Sequence, residues 1–232
     1  MKVRPEDRLI VALDVDTKEE AVGWVKRMAP LGVTHFKIGL NLFTRAGPSA
    51  VEAVQQAGGK VFLDLKFHDI PNTVAGAVRA AAALKVWMAN VHISGGSAMM
   101  RSALAAAGQT LLIGVTVLTS MAEKDLADLG LNKTLKDQVL YLAKLAQSAG
   151  LSGIVASAQE AKAIRRACGE EFLIVTPGIR PQGKEQGDQQ RTATPLEAIQ
   201  AGADYLVVGR PILEAPDPAA VTGQILEECA RA

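Results

Sequence analysis

Two ionisable residues of opposite sign, Asp64 and Lys66, stand two positions apart in the run Phe62-Leu63-Asp64-Leu65-Lys66-Phe67-His68-Asp69. Alternate side chains of a strand share a face, so carboxylate and ammonium point the same way, with Phe62 before them on that face. Lys37 and Asp14 lie at the ends of other apolar runs, and Asp69 follows a few residues on. An ammonium among carboxylates stays protonated, and the carboxylates stay ionised, because each stabilises the other's charge. A protonated lysine in a partly dry site can stabilise a nearby carbanion and then deliver a proton to it. That suits decarboxylation or proton transfer at carbon. It does not suit a nucleophilic lysine, which must be neutral to attack. The plain alternative is a surface salt bridge; a pair at i and i+2 with a second lysine at hand argues against it.

A second group of residues has the character of an anion site. Arg180 and Arg210 carry forked donors matched to phosphate oxygens. Gly209, just before Arg210, lets a backbone N–H approach a ligand closely. The three histidines, His35, His68 and His92, form no metal-ligand motif, and His92 reads as a hydrogen-bonded structural residue. The two cysteines, Cys168 and Cys229, have neither metal spacing nor a partner framework, which points to a reducing compartment.

These residues need a frame. Short β-type runs, Leu9–Leu13, Thr34–Ile38, Lys60–Leu65, Met88–Ile93, Leu111–Val117, Gly153–Ala156, Phe172–Thr176 and Tyr205–Val208, alternate with longer helical patterns. Helix starts are marked by capping-box spacing at Thr17/Glu20 and Ser157/Glu160, and by Thr194-Pro195-Leu196-Glu197. Eight strand–helix units without a linker predict an α/β fold, one (β/α)8 TIM barrel spanning residues 1–232. A doubly wound open sheet would want Gly-x-Gly-x-x-Gly after its first strand, which is missing. In such a barrel, function gathers at the C-terminal ends of the strands, where Asp14, Lys37, Asp64, Lys66, Arg180 and Arg210 all fall. Residues 178–194 form a long polar loop after strand seven, the place of a phosphate-gripping lid.

Composition excludes several classes. The chain of 232 residues has Lys+Arg 25 against Asp+Glu 24, a net charge of +1, so no basic excess serves nucleic acid or an anionic membrane. The polar start and the short apolar run after it do not make a signal peptide, and no run approaches the roughly 18 apolar residues of a membrane span. A cytoplasmic protein is expected.

The run DLKFHDIPNT, with LIVALDVD before it, VTPGIRPQGKEQGDQQR after it and YLVVGRPI near the end, resembles the bacterial-type orotidine 5'-phosphate decarboxylase family over essentially the whole chain. The D-x-K-x-x-D element alone also resembles metal-dependent sugar-phosphate enzymes of the same suprafamily, the 3-keto-L-gulonate 6-phosphate decarboxylases and hexulose-phosphate synthases. Those would want a carboxylate ligand where this chain has Lys37. The closer resemblance implies conversion of orotidine 5'-phosphate to uridine 5'-phosphate and CO2, the last step of de novo UMP synthesis, with neither metal nor organic cofactor. It implies a homodimer in which Asp69 and Thr73 cross the interface. By this resemblance Lys37, Asp64, Lys66 and Asp69 form the catalytic network, with Lys66 the proton donor to C6. Asp14 and Lys37 would hold ribose hydroxyls, Thr119 and Ser120 would face the pyrimidine, and Pro177, Arg180, Gln189, Gly209 and Arg210 would hold the phosphate end.

Overall fold

In a computed structural model, which describes residues 3–181 and 191–232, eight parallel strands close on themselves in sequence order. They are β1 (Leu9–Ala12), β2 (His35–Gly39), β3 (Lys60–Phe67), β4 (Met88–His92), β5 (Leu111–Val115), β6 (Gly153–Val155), β7 (Leu173–Thr176) and β8 (Tyr205–Val208). The last pairs with the first, Val207 opposite Ile10, so the expected barrel is formed and no strand edge is left open.

The helices that cover it are α1 (Lys18–Met28), α2 (Leu40–Ala46), α3 (Pro48–Gln56), α4 (Pro71–Ala83), α5 (Gly96–Ala106), α6 (Glu123–Asp128), α7 (Leu135–Ser148), α8 (Ala158–Cys168), α9 (Pro195–Gln200), α10 (Arg210–Leu213) and α11 (Pro218–Arg231). Two crossovers, β2–β3 and β5–β6, and the segment after β8 therefore carry two helices where the sequence rhythm suggested one. The break between α2 and α3 falls at Gly47, in a backbone region that only glycine enters freely (φ 59, ψ −151). α4 begins at Pro71, proline being suited to a first helical position whose N–H has no partner.

Helix starts follow the local chemistry. Thr17 Oγ1 accepts from the backbone of Glu20 at 3.2 Å, and Thr194 and Glu197 make a complete capping box ahead of α9. At α8 the expected box does not form. Ser157 caps through the backbone of Gln159, and Glu160 turns inward to another partner.

Alternation along the strands divides the core into two layers. Ile10, Ala12, Phe62, Met88, Ile113, Val175, Tyr205 and Val207 fill the barrel itself. Their neighbours, such as Val11, Phe36, Leu63, Ala89 and Ile154, pack outward beneath the helices. The N-terminal end of the barrel is plugged by rings. The His35 ring lies 4.3 Å from that of Trp87 between centroids, and Trp87 meets Tyr205 at 5.2 Å. Burial pushes the His35 imidazole down to about 4, so it packs as a neutral ring.

Candidate active site

At the opposite end the inward faces of the same strands bear charge. The side chain before Asp64 on its face is Phe62, which closes the apolar filling; Asp64 is 8% exposed, so its carboxylate needs partners. It has them on both sides. Lys66 Nζ lies 2.7 Å from Asp64 Oδ1, and Lys37 Nζ, reaching over from β2, lies 3.3 Å from Oδ2. Lys37 also reaches Asp14 Oδ1 at 3.4 Å. Burial alone would lower the Lys37 ammonium, but Asp64 and Asp14 outweigh it and hold the pKa above the ordinary lysine value. Burial alone would raise Asp64; Lys37, Lys66 and the hydrogen bonds from Lys66 and Asn90 outweigh it and hold the carboxyl below its usual range. Lys37 and Asp64 are thus held in their charged forms around neutral pH.

The backbone that presents Lys66 is irregular. Leu63 pairs with Ala89 and Phe67 with Val91, so β3 advances four residues while β4 advances two. Lys66 sits in this bulge at φ 51, a left-handed conformation that costs a side-chain-bearing residue roughly 1–2 kcal/mol. Simple alternation foresaw the shared face of Asp64 and Lys66 but not this distortion.

The cluster forms one wall of a cleft of about 230 Å³ at the C-terminal mouth of the barrel. Of the residues singled out in the sequence, Asp14, Lys37, Asp64, Lys66, Thr119, Pro177, Arg180, Gly209 and Arg210 line it together. Phe62, Val115, Val155 and Val207 supply an apolar floor. Gly209 is tightly surrounded: a Cβ there would stand 3.2 Å from Asp14 Oδ2 and 3.3 Å from the Ala12 methyl, so these neighbours would have to give by a few tenths of an ångström. Ser120 does not line the cleft, although its neighbour Thr119 does. Asp69 and Thr73 are exposed at the β3–α4 junction, with the Asp69 carboxylate accepting from the Ile70 backbone at 2.6 Å. Gln189, and the stretch 182–190 of the expected lid, lie outside the described residues.

The two roots of that loop are joined by a backbone bridge, Arg180 N donating to Ala193 O at 2.9 Å. Its returning root is anchored by a buried ion pair that the sequence reading missed. Arg191 Nη1 lies 2.7 Å from Glu160 Oε1 of α8, and Arg191 Nη2 donates to Leu118 O at 3.0 Å. Leu118 itself lines the cleft, so Arg191 ties the loop after β7 to the loop after β5. The misread signal was Glu160, whose spacing from Ser157 mimics a capping box. Asn90, fully buried on β4 beside Asp64, was missed as well. The ring of His92, further along β4, is 5.5 Å from that of His68 between centroids, and burial, with His68 and Lys66 nearby, lowers its pKa. Among the described residues no three His, Cys, Asp or Glu side chains gather to hold a metal, and no helix is long and apolar enough to cross a membrane.

Comparison with known proteins agrees with this geometry. The orotidine 5'-phosphate decarboxylase of Vibrio vulnificus (strain YJ016) is 55% identical over 221 residues, 93% of this chain and 95% of that protein. That of Moorella thermoacetica is 49% identical over 238 residues, covering 98% and 94%. The crystal structure of orotidine 5'-phosphate decarboxylase from Lactobacillus acidophilus superposes with a TM-score of 0.85 at 38% identity, covering 97% of this chain and all of that one. The sequence profile of the orotidine 5'-phosphate decarboxylase / HUMPS family matches residues 7–225, and the chain belongs to that family.

Proposed function

We propose that this protein decarboxylates orotidine 5'-phosphate to uridine 5'-phosphate and CO2, the reaction that completes UMP synthesis. One observation carries the reading: the Lys66 ammonium, held 2.7 Å from the Asp64 carboxylate, stands on the wall of a cleft whose far side presents Arg180 and Arg210. Loss of CO2 from C6 leaves an electron pair in an sp2 orbital that the pyrimidine delocalises poorly, so the barrier is mostly the cost of that anion. An ammonium fixed beside C6 lowers this cost where the charge develops, and then gives up a proton to the same carbon. Asp64, itself anchored by Lys37 at 3.3 Å, keeps the Lys66 ammonium oriented. Asp64 beside the departing carboxylate adds like-charge repulsion to the ground state.

The other residues divide the remaining work. Asp14 and Lys37 hold the ribose hydroxyls, and Thr119, with Ser120 beside it, faces the pyrimidine. Arg180, Arg210, Pro177, Gly209 and Gln189 hold the phosphate, with residues 178–194 covering it. Binding energy from that remote group is available to organise the reacting end. Asp69 and Thr73 act across a homodimer interface into the neighbouring site. What supports this is their exposure next to Ile70, an isoleucine 67% exposed. Against the sugar-phosphate reading stands Lys37, an ammonium at the end of β2 where a metal site would want a carboxylate.

The test is a spectrophotometric assay of orotidylate loss with UMP identified as product and EDTA present throughout. Turnover under those conditions is expected; an inert protein, or one that requires added metal, overturns the reading. The shared site is tested by mixing. Lys66→Ala and Asp69→Asn subunits, each inactive alone, regain about a quarter of parental activity on subunit exchange, since half the dimers are mixed and each has one intact site. No recovery rejects the crossed arrangement.

A further inference from the structure

We infer that Asn90 is a positioning residue for Lys66, an inference that rests on the decarboxylase reading above. Its carboxamide is fully buried and spans the break in the β3–β4 ladder. Nδ2 donates to Asp64 Oδ1 at 2.7 Å, and Oδ1 accepts from the Lys66 backbone N–H at 2.8 Å. The same Asp64 oxygen takes the Lys66 ammonium at 2.7 Å. One side chain therefore fixes both ends of Lys66: its backbone, in the left-handed bulge, and, through Asp64, its charged tip.

The chemistry of the position is restrictive. The bulge removes a ladder partner from Lys66 N–H, and a buried amide N–H must find an acceptor elsewhere. Asp64 Oδ1 needs a donor in the same place. Only a group that accepts at one atom and donates at the next satisfies both, and a carboxamide does so without charge. A hydrophobic residue leaves the Lys66 N–H unsatisfied and removes one of the two donors to Asp64 Oδ1. An ionised aspartate satisfies the Lys66 N–H but sets a second carboxylate against Asp64. The charged and titratable groups around position 90 are Asp64 and Lys66 of β3, Lys37 of β2 through Asp64, and His92 on the same strand.

The experiment compares Asn90→Ala and Asn90→Asp with the parent, reading kcat and KM for orotidine 5'-phosphate, the Kd for UMP, and crystal structures. Asn90→Ala is expected to lose about 100-fold in kcat, the scale of a reacting group displaced by about 1 Å. UMP affinity should stay within about threefold. Asn90→Asp can mimic the amide only while its carboxyl is protonated, so its kcat relative to the parent falls as pH rises. In the Asn90→Ala crystal structure Lys66 is expected to leave positive φ and to lose its contact with Asp64. The inference is overturned if kcat stays within threefold of the parent, if kcat and UMP affinity fall together, if the Asn90→Asp ratio is flat with pH, or if Lys66 keeps its conformation without the amide. Should Asn90→Ala not fold, the Asn90→Asp pH series and structure decide alone. A parent that leaves orotidylate untouched sinks the decarboxylase reading, while the crystal structures still decide whether Asn90 holds Lys66.

Discussion

β2 carries two basic side chains two residues apart on one inward face, His35 at the N-terminal end and Lys37 toward the C-terminal mouth, and both are removed from water. His35 meets Trp87 and Tyr205, burial dominates, and the imidazole is neutral. Lys37 meets Asp64 and Asp14, and its charge is retained. Burial is common to both; the partner decides the protonation state. The barrel thus has a plugged end where burial suppresses ionisation and a mouth where opposite charges enforce it. That division is the one parallel (β/α)8 barrels make between stability and function.

The sharpest way to break the contrast is at the mouth. Lys66→Ala is expected to lower turnover by about 10⁴-fold or more, equivalent to ~5.4 kcal/mol. The affinity for UMP should stay measurable and the fall in melting temperature modest, because Lys66 is 30% exposed and Asp64 keeps Lys37 and Asn90 as partners. Substantial residual turnover would remove Lys66 from the chemistry.

Glu160→Gln probes a charge at the mouth that serves structure. Removing one partner of a buried pair strands the Arg191 guanidinium and costs about 3–5 kcal/mol. Thermal unfolding should fall by roughly 10 °C for a chain of this size. The double variant Glu160→Gln/Arg191→Leu should recover much of the loss, and a double variant as unstable as the single one would refute the pairing.

A smaller effect is expected at the phosphate end. Arg210→Ala should weaken UMP binding by about 10–100-fold, the worth of charge-assisted hydrogen bonds, and leave uridine binding unchanged. Equal losses for both ligands would place Arg210 elsewhere.

The plugged end has its own pH signature. The folded-state pKa of His35, about 4, lies below the ordinary 6.5, so the unfolded chain binds the extra proton between those values. Stability from this ring is complete above pH 6.5 and declines as pH falls toward 4, by at most ~3 kcal/mol. The mouth responds only at the extremes: the Asp64 contribution goes as pH falls through its lowered pKa, and that of Lys37 as pH rises through its raised one. Chemical denaturation of His35→Phe across pH 4–7 should show a flatter slope than the parent; an identical slope would assign the acid sensitivity to other groups.

How much of this was legible in the sequence depends on the range of the signal. Strand and helix alternation is local, and it gave the barrel and the strand ends that carry Asp14, Lys37, Asp64 and Arg210. The i, i+2 spacing placed Asp64 and Lys66 on one face. It could not reveal the bulge, because a two-residue period says nothing of how β3 registers against β4. Asn90 was invisible for the same reason: a lone asparagine in a strand has no meaning until the fold sets it beside Asp64, 26 residues earlier in sequence. Glu160 was misread because local capping and a partner 31 residues away compete for one carboxylate, and the long-range partner won.

The bulge in β3 also bears on how this protein responds to selection. A left-handed lysine is kept only while its product, a working ammonium, is worth more than the relaxation available to a straight strand. Heat-challenge screening of variant libraries would therefore reward substitutions that flatten this segment, and would lose catalysis first at the spot where the chain is most contorted. Engineering for hardiness has to score turnover in the same round.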